Sequence, residues 1–281
     1  MAEKTYIEWA DSTLNLMAGC DGCELWKPAA GIHHCYAGKL TRRYEGEKGW
    51  PVKFETPLIF PERIKKALAW SDLTGQNRPD KPWLNGLPRI IFLNDMGDTF
   101  TESLPVDWLA PFLSQIAESP HQWLILTKRP RRFAEFAGQH PLPKNVWAGT
   151  SVTGPGTLKR VTELLRVPAT IRFLSAEPLL APVDLSMPLG LEWSDVQGSW
   201  IDNREWVLSG KPRGISFVIV GGESGPGARP MNPDWARMIR DQCVAAGTAF
   251  FMKQMDKVQP IPDDLFVRQF PCLTDSRAHQ S

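Results

Sequence analysis

The sequence holds no apolar run of the roughly 20 residues that a membrane-spanning helix needs, which excludes a helical membrane protein. Its first stretch, MAEKTYIEWADSTLNLM, is polar and acidic where a secretory leader would carry an apolar segment. There is almost no net charge, +1 over 281 residues, so no global field draws the chain to nucleic acid or anionic lipid. Cysteines are few and odd in number, 5, which argues against a disulfide framework. A chain of this length buries enough apolar surface to do without one. Low-complexity segments and internal repeats beyond a strand–helix theme are also missing. These absences point to the reducing cytoplasm, where free thiols persist and bind metals.

What the chain does have is a recurrent pattern of short apolar run, polar turn and amphipathic segment. The runs are RIIFLNDMGD from Arg89, QWLILTKRP from Gln122, NVWAGTSV from Asn145, TIRFLSAEPLL from Thr170, ISFVIVGGESG from Ile215 and TAFFMKQM from Thr248. Short runs rich in Ile, Val, Leu and Phe read as strands buried on both faces of a parallel sheet. Between them stand VDWLAPFLSQIAES, PRRFAEFAGQ, TLKRVTELLRV and NPDWARMIRDQCVAAG, which read as helices. The last carries a start signal at Asn232-Pro233 and a stop at Gly247. With STLNLMAGC as a first strand, the expected fold is α/β, a full or partial (β/α) barrel of about six to seven parallel strands. Residues 1–258 are expected to form one such domain, with an irregular, tryptophan-rich insertion at about 182–214 acting as a lid on the site side. Residues 259–281 are expected to be a poorly ordered tail.

Each run ends in polar residues: Asn94-Asp95, Thr127-Lys128-Arg129, Thr150-Ser151, Ser175-Ala176-Glu177, Gly221-Gly222-Glu223-Ser224 and Lys253-Gln254. Sites in parallel α/β folds gather at the C-terminal ends of strands, so these ends are expected to converge. Lys128, Arg129, Glu223 and Lys253 are the candidate catalytic residues. The Gly221-Gly222 turn lets backbone amides approach a ligand closely.

The cysteines are spaced Cys20-x2-Cys23-x11-Cys35, on the loop expected between the first strand and the first helix. Thiolates suit zinc or an iron–sulfur cluster. A structural zinc takes a fourth ligand, which His33 or His34 could supply. A [4Fe–4S] cluster on three cysteines leaves one iron open to a reactive cofactor. Cys243 reads as a small core hydrophobe, and Cys272 lies in the tail. Trp26, Trp83, Trp193 and Trp200 stand on loops, where indoles stack on bases or fill the core.

The blocks AGCDGCELW…HCYA, LTKRP, NVWAGTSV, RFLSAEPLL, VIVGGESGPGARPM and FFMKQM resemble a phage-type three-Cys-motif family regarded as radical-SAM-like, and the resemblance runs from about Met17 to Met255. It implies a [4Fe–4S] cluster on Cys20, Cys23 and Cys35, with S-adenosylmethionine on the open iron. The chain departs from the common CxxxCxxC spacing through its long second gap, ELWKPAAGIHH. By the same resemblance, the second strand's end, Asn94 with Asp95 and Asp98, would hold the cofactor's amino group. Ser151 and Glu177 would reach its ribose or carboxylate, and Gly221, Gly222 and Ser224 would line it. Such an enzyme draws on an external electron donor and generates a deoxyadenosyl radical. Lys128, Arg129, Arg229 and Lys253 exceed what one cofactor carboxylate needs, so an anionic substrate is expected, nucleotides and nucleic acids among the candidates. Arg131 and Arg132 read as a solvated helix start. The alternative is a zinc-stabilised nucleic-acid-binding module without redox chemistry.

Overall fold

The computed structural model describes residues 2–194, 199–202, 214–224, 227–256 and 259–273. Seven strands form one sheet: β1 (Ser12–Leu14), β2 (Ile90–Leu93), β3 (Gln122–Thr127), β4 (Val146–Ser151), β5 (Ile171–Ala176), β6 (Phe217–Gly221) and β7 (Ala249–Gln254). They lie side by side in chain order and every neighbouring pair is parallel. The edge strands β1 and β7 do not pair with each other, so the sheet is a curled half-barrel. The partial-barrel expectation is therefore met.

Helices are α1 (Tyr36–Arg43), α2 (Ile64–Leu68), α3 (Leu113–Glu118), α4 (Pro130–Gln139), α5 (Lys159–Leu164), α6 (Ser186–Leu189) and α7 (Pro233–Ala246). Pro130 opens α4 at the position where a missing N–H costs nothing. The Asn232 side chain accepts the Asp234 N–H at 2.9 Å to cap α7, and Gly247, at φ 63°, ends it in the left-handed region. No helix among the described residues is long and apolar enough to cross a membrane.

The two faces of the sheet are covered differently. On the outer face Ile91, Ile125, Ala148, Leu174, Val218 and Phe250 pack with helix residues such as Phe133, Phe136, Val161, Leu164 and Ile239. On the inner face Phe92, Leu124, Trp147, Phe173, Ile219 and Phe251 meet irregular chain instead: Trp9, Ala10, Leu84 and Phe270. Lys81 Nζ ties this packing together by donating to the Thr5 and Ile7 carbonyls at 2.7 and 2.8 Å. Arg268 pairs with Glu8 and stacks over Trp83 at 4.1 Å.

Two expectations are corrected here. Residues 259–273 are not a loose tail. Met252 N–H donates to the Val267 carbonyl at 2.8 Å and Gln269 N–H to the Phe250 carbonyl at 2.9 Å, so this stretch runs beside β7. Phe270 rests 4.9 Å from the Phe217 ring. A half-barrel leaves its inner face open, and the C-terminal stretch is one of the segments that buries it. Residues 274–281 lie outside the described residues. The insertion at 182–214, in its described part, is α6 followed by an antiparallel hairpin (Leu191–Ser194 with Ser199–Asp202). Both pack against α7 in the helical layer and do not close over the strand ends. Residues 195–198 and 203–213 lie outside the described residues.

Candidate active site

The cysteine loop is an excursion from the end of β1. Gly19, at φ 97°, sits where a side chain would lie 2.8 Å from the Phe54 carbonyl oxygen. Gly97 meets it from the β2 side, and a Cβ there would fall 2.4 Å from the Gly19 carbonyl oxygen. This close backbone crossing brings Cys20 to the strand ends. The eleven-residue gap before Cys35 is absorbed by a small hairpin, in which Trp26–Lys27 pairs with Ile32–His33 around a left-handed Gly31. Its return leg is fixed when the His34 and Cys35 N–H groups both donate to the Leu25 carbonyl, at 2.8 and 2.9 Å. Cys35 thereby returns next to Cys23, and it is the residue that precedes α1. The long spacing changes the connection and still returns Cys35 to the cavity that Cys20 and Cys23 line.

Cys20, Cys23 and Cys35 line one cavity of about 110 Å³, together with Trp26, Tyr36, Phe54, Asp95, Asp98, Lys128, Arg129 and Ser151. The sulfurs share that space without being drawn tight. Among the described residues no three His, Cys, Asp or Glu side chains are gathered closely enough to hold a metal ion. The expected close approach of the sulfurs is corrected to this looser arrangement: burial favours the protonated thiols at Cys20 and Cys35, and neutral thiols have no strong attraction that would draw them together. Burial pushes the Cys20 thiol up to about 11, and Asp98 adds to the push while Arg129 opposes it. Burial also raises Cys35, against the opposing N–H groups of Gly38 and Ala37 at the start of α1.

Arg129 binds the loop to β3. Its Nη1 donates to Asp98 Oδ2 at 3.0 Å and to Cys20 Sγ at 3.5 Å, and its Nη2 donates to the Gly22 carbonyl at 2.9 Å. Burial disfavours the guanidinium, yet Asp98 and Cys20 raise its pKa overall. Asp98 is fully engaged: it also accepts from Thr127 Oγ1 at 2.6 Å and from the Phe100 and Lys128 N–H groups at 3.0 and 2.9 Å. It is thus a holder of Arg129 and the β3 turn. Asp95 keeps more freedom: Asn15 Nδ2 donates to its Oδ1 at 2.7 Å, and burial raises its carboxyl. Lys128 Nζ reaches Ser151 Oγ at 3.5 Å.

The remaining sequence candidates lie elsewhere. Asn94, at φ 64°, turns inward to accept the Met17 N–H at 3.1 Å and to donate to Thr99 Oγ1 at 3.0 Å. Glu177 pairs with Lys253 at 2.8 Å, and a Cβ on Gly221 would strike that carboxylate at 2.7 Å. Gly222 packs against the Met255–Asp256 backbone, Glu223 pairs with Arg229, and Ser224 is exposed. Three of the four cations expected to be in surplus are therefore neutralised within the chain, and Lys128, which lines the cavity, forms no ion pair with a described carboxylate.

Three further residues complete the site and carry no sequence signature of their own. Tyr36 donates its hydroxyl to the Asp95 carbonyl. Burial of that hydroxyl and the nearby Asp95 hold its pKa well above the usual value; the residue as a whole is 49% exposed. Glu24, on the cysteine loop, is gripped by Arg160 of α5 at 2.9 and 2.7 Å. Burial alone would raise the Glu24 carboxyl, but Arg160 and Lys128 outweigh it and hold it at about 2. Of the sequence candidates outside the sheet, Trp26 and Cys243 are core, with 1% and 0% of their surface exposed. Trp83 donates its indole N–H to the Glu8 carbonyl at 2.8 Å.

No curated protein and no solved structure shows a significant match to the chain. Residues 4–268, nearly the whole of it, match a family described as Protein of unknown function (DUF5131), and the chain belongs to that family.

Proposed function

We propose that this protein is a cytoplasmic radical-SAM-type enzyme that holds a [4Fe–4S] cluster on Cys20, Cys23 and Cys35 and acts on an anionic substrate, using electrons from an external donor. One observation carries the reading: three thiols line the same strand-end cavity as Asp95, Lys128 and Ser151, and neither His33 nor His34 lines it. A set of three sulfurs without an imidazole fits a cluster with an open iron better than a closed structural zinc. The resemblance of the sequence blocks to the three-Cys-motif family supports the same reading.

When bound, the cluster and S-adenosylmethionine supply one-electron chemistry that begins with reductive cleavage of the cofactor. The chain's own groups bind and orient. Arg129 offsets thiolate charge at Cys20 and fixes the loop to β3. Asp95 offers a half-buried carboxylate for a cofactor ammonium. Lys128 offers an ammonium, and Ser151 a hydroxyl, for a carboxylate or phosphate. Trp26 and Phe54 exclude water from the thiols.

The test is anaerobic purification followed by metal analysis. Brown protein with iron and labile sulfide is expected. Cys20→Ala, Cys23→Ala and Cys35→Ala should each lose iron, and Cys243→Ala, buried against α7's neighbours, should keep it. Colourless protein with one equivalent of zinc would overturn the reading.

A further inference from the structure

The chain as a whole is nearly neutral, and the cysteine lobe, residues 20–57, carries six Lys and Arg against five Asp and Glu, but among its exposed side chains without an ion pair to a described residue the cations outnumber the carboxylates. Lys27, Lys39, Arg42, Arg43, Lys48 and Lys53 are all exposed, and none forms an ion pair with a described residue. The carboxylates of the same segment that form no ion pair with a described residue are Glu45, Glu47 and Glu55. Asp21 and Glu24, the other acids of the lobe, are already committed to Arg129 and Arg160. The lobe also has its own small core of Trp26, Ala37, Phe54 and Met96 around Cys20, so its basic surface is carried on the element that forms the cavity.

Aromatic rings lie among these cations. Tyr44 and Trp50, both partly exposed, stack at 4.9 Å. Tyr36 is the most telling. The residue is 49% exposed and lines the cavity, while its hydroxyl is fixed on the Asp95 carbonyl. An exposed aromatic residue with a fixed orientation is a stacking platform that has already lost its rotational freedom. A basic track combined with aromatic platforms is how proteins hold single-stranded nucleic acid.

We infer that the basic face of the cysteine lobe, with Tyr36 at its inner end, binds single-stranded nucleic acid and leads it to the thiol-lined cavity. The purpose of the track rests on the proposed enzymatic reading; its binding does not, and the two can be tested apart.

The experiment is fluorescence anisotropy with labelled oligo-dT and oligo-rU on the full chain over a range of salt. Binding should weaken steeply with salt. In a Lys27→Ala, Lys39→Ala, Arg43→Ala triple variant the log–log salt slope should fall by about 2, since each phosphate contact on a single strand contributes about 0.7. These three side chains make no hydrogen bond or ion pair with another described residue. Tyr36→Ala should weaken binding about tenfold, as loss of one stacked base predicts, and Tyr36→Phe, which keeps the ring but not the hydroxyl that fixes it, should recover part of that loss. Cys23→Ser should bind as wild type does even where iron is lost, which separates the surface from the cluster. The inference is overturned by no binding above background at low salt, or by equal binding of the triple variant. Duplex binding as tight as single-strand binding would overturn it too. Displacement by polyglutamate at equal charge concentration would assign the face to an acidic protein instead.

Discussion

The Arg160–Glu24 pair is the clearest place to measure how the fold holds its cysteine loop. Arg160 donates to both Glu24 oxygens and, through Nη1, to the Ser151 carbonyl at 3.1 Å. A Glu24 carboxyl held at about 2 against an ordinary 4.5 corresponds to about 3 kcal/mol. The Glu24 side chain keeps 31% of its surface exposed and Arg160 13%, so solvent screening reduces the pair to about 1.5–2 kcal/mol. The perturbation is a double-mutant cycle of Glu24→Gln and Arg160→Met, read by urea denaturation at pH 7. A coupling of about 1.5–2 kcal/mol is expected. Arg160→Met should be the costlier single change, because it also frees the Ser151 carbonyl and leaves a partly buried carboxylate unpaired. Both singles should raise proteolytic nicking between Cys23 and Cys35 before the sheet unfolds. A coupling below about 0.5 kcal/mol, with unchanged loop proteolysis, would refute the claim that this pair anchors the loop.

Three other outcomes are expected. Gly97→Ala would place a methyl 2.4 Å from the Gly19 carbonyl oxygen; it should destabilise by about 1–3 kcal/mol and reduce iron uptake, and wild-type values for both would contradict the crossing. Phe270→Ala should lower stability by about 2 kcal/mol in thermal denaturation by unpacking the Phe217 and Phe251 rings, and no loss would mean that residues 259–273 do not close the inner face. His121 is buried, and burial, with Arg89 nearby, holds its pKa below the usual 6.5. The unfolded chain therefore takes up a proton that the folded chain refuses, and stability present above pH 6.5 should fall as the pH drops below it. Denaturant midpoints at pH 7 and 5 should show that loss, and His121→Phe should reduce it.

Much of the fold was legible in the sequence because parallel strands buried on both faces must be short and apolar. Such runs, separated by amphipathic segments, admit few arrangements, and the chain-order sheet of β1 to β7 is one of them. The helix signals at Asn232-Pro233 and Gly247 were equally local and marked α7 correctly. That the three thiols share one cavity was legible too, since a single strand-end loop carries all of them. Local pattern could not decide which polar residues at a strand end face a ligand and which face another part of the chain. Asn94 and Asp98 both follow β2, yet one turns inward to Met17 and Thr99 and the other is taken up by the β3 turn. Lys253, Arg229 and Arg129 looked alike as spare cations until Glu177, Glu223 and Asp98 were placed beside them. Arg160, on α5, reached its role only through a partner 136 residues away. Periodicity and spacing record which face of its own element a residue occupies. Whether a charge is free or neutralised depends on residues that only the folded chain brings together, so the sequence by itself determined the sheet, the cysteine loop and the end of the barrel that holds the site, and the tertiary structure alone decided which side chains there remain available.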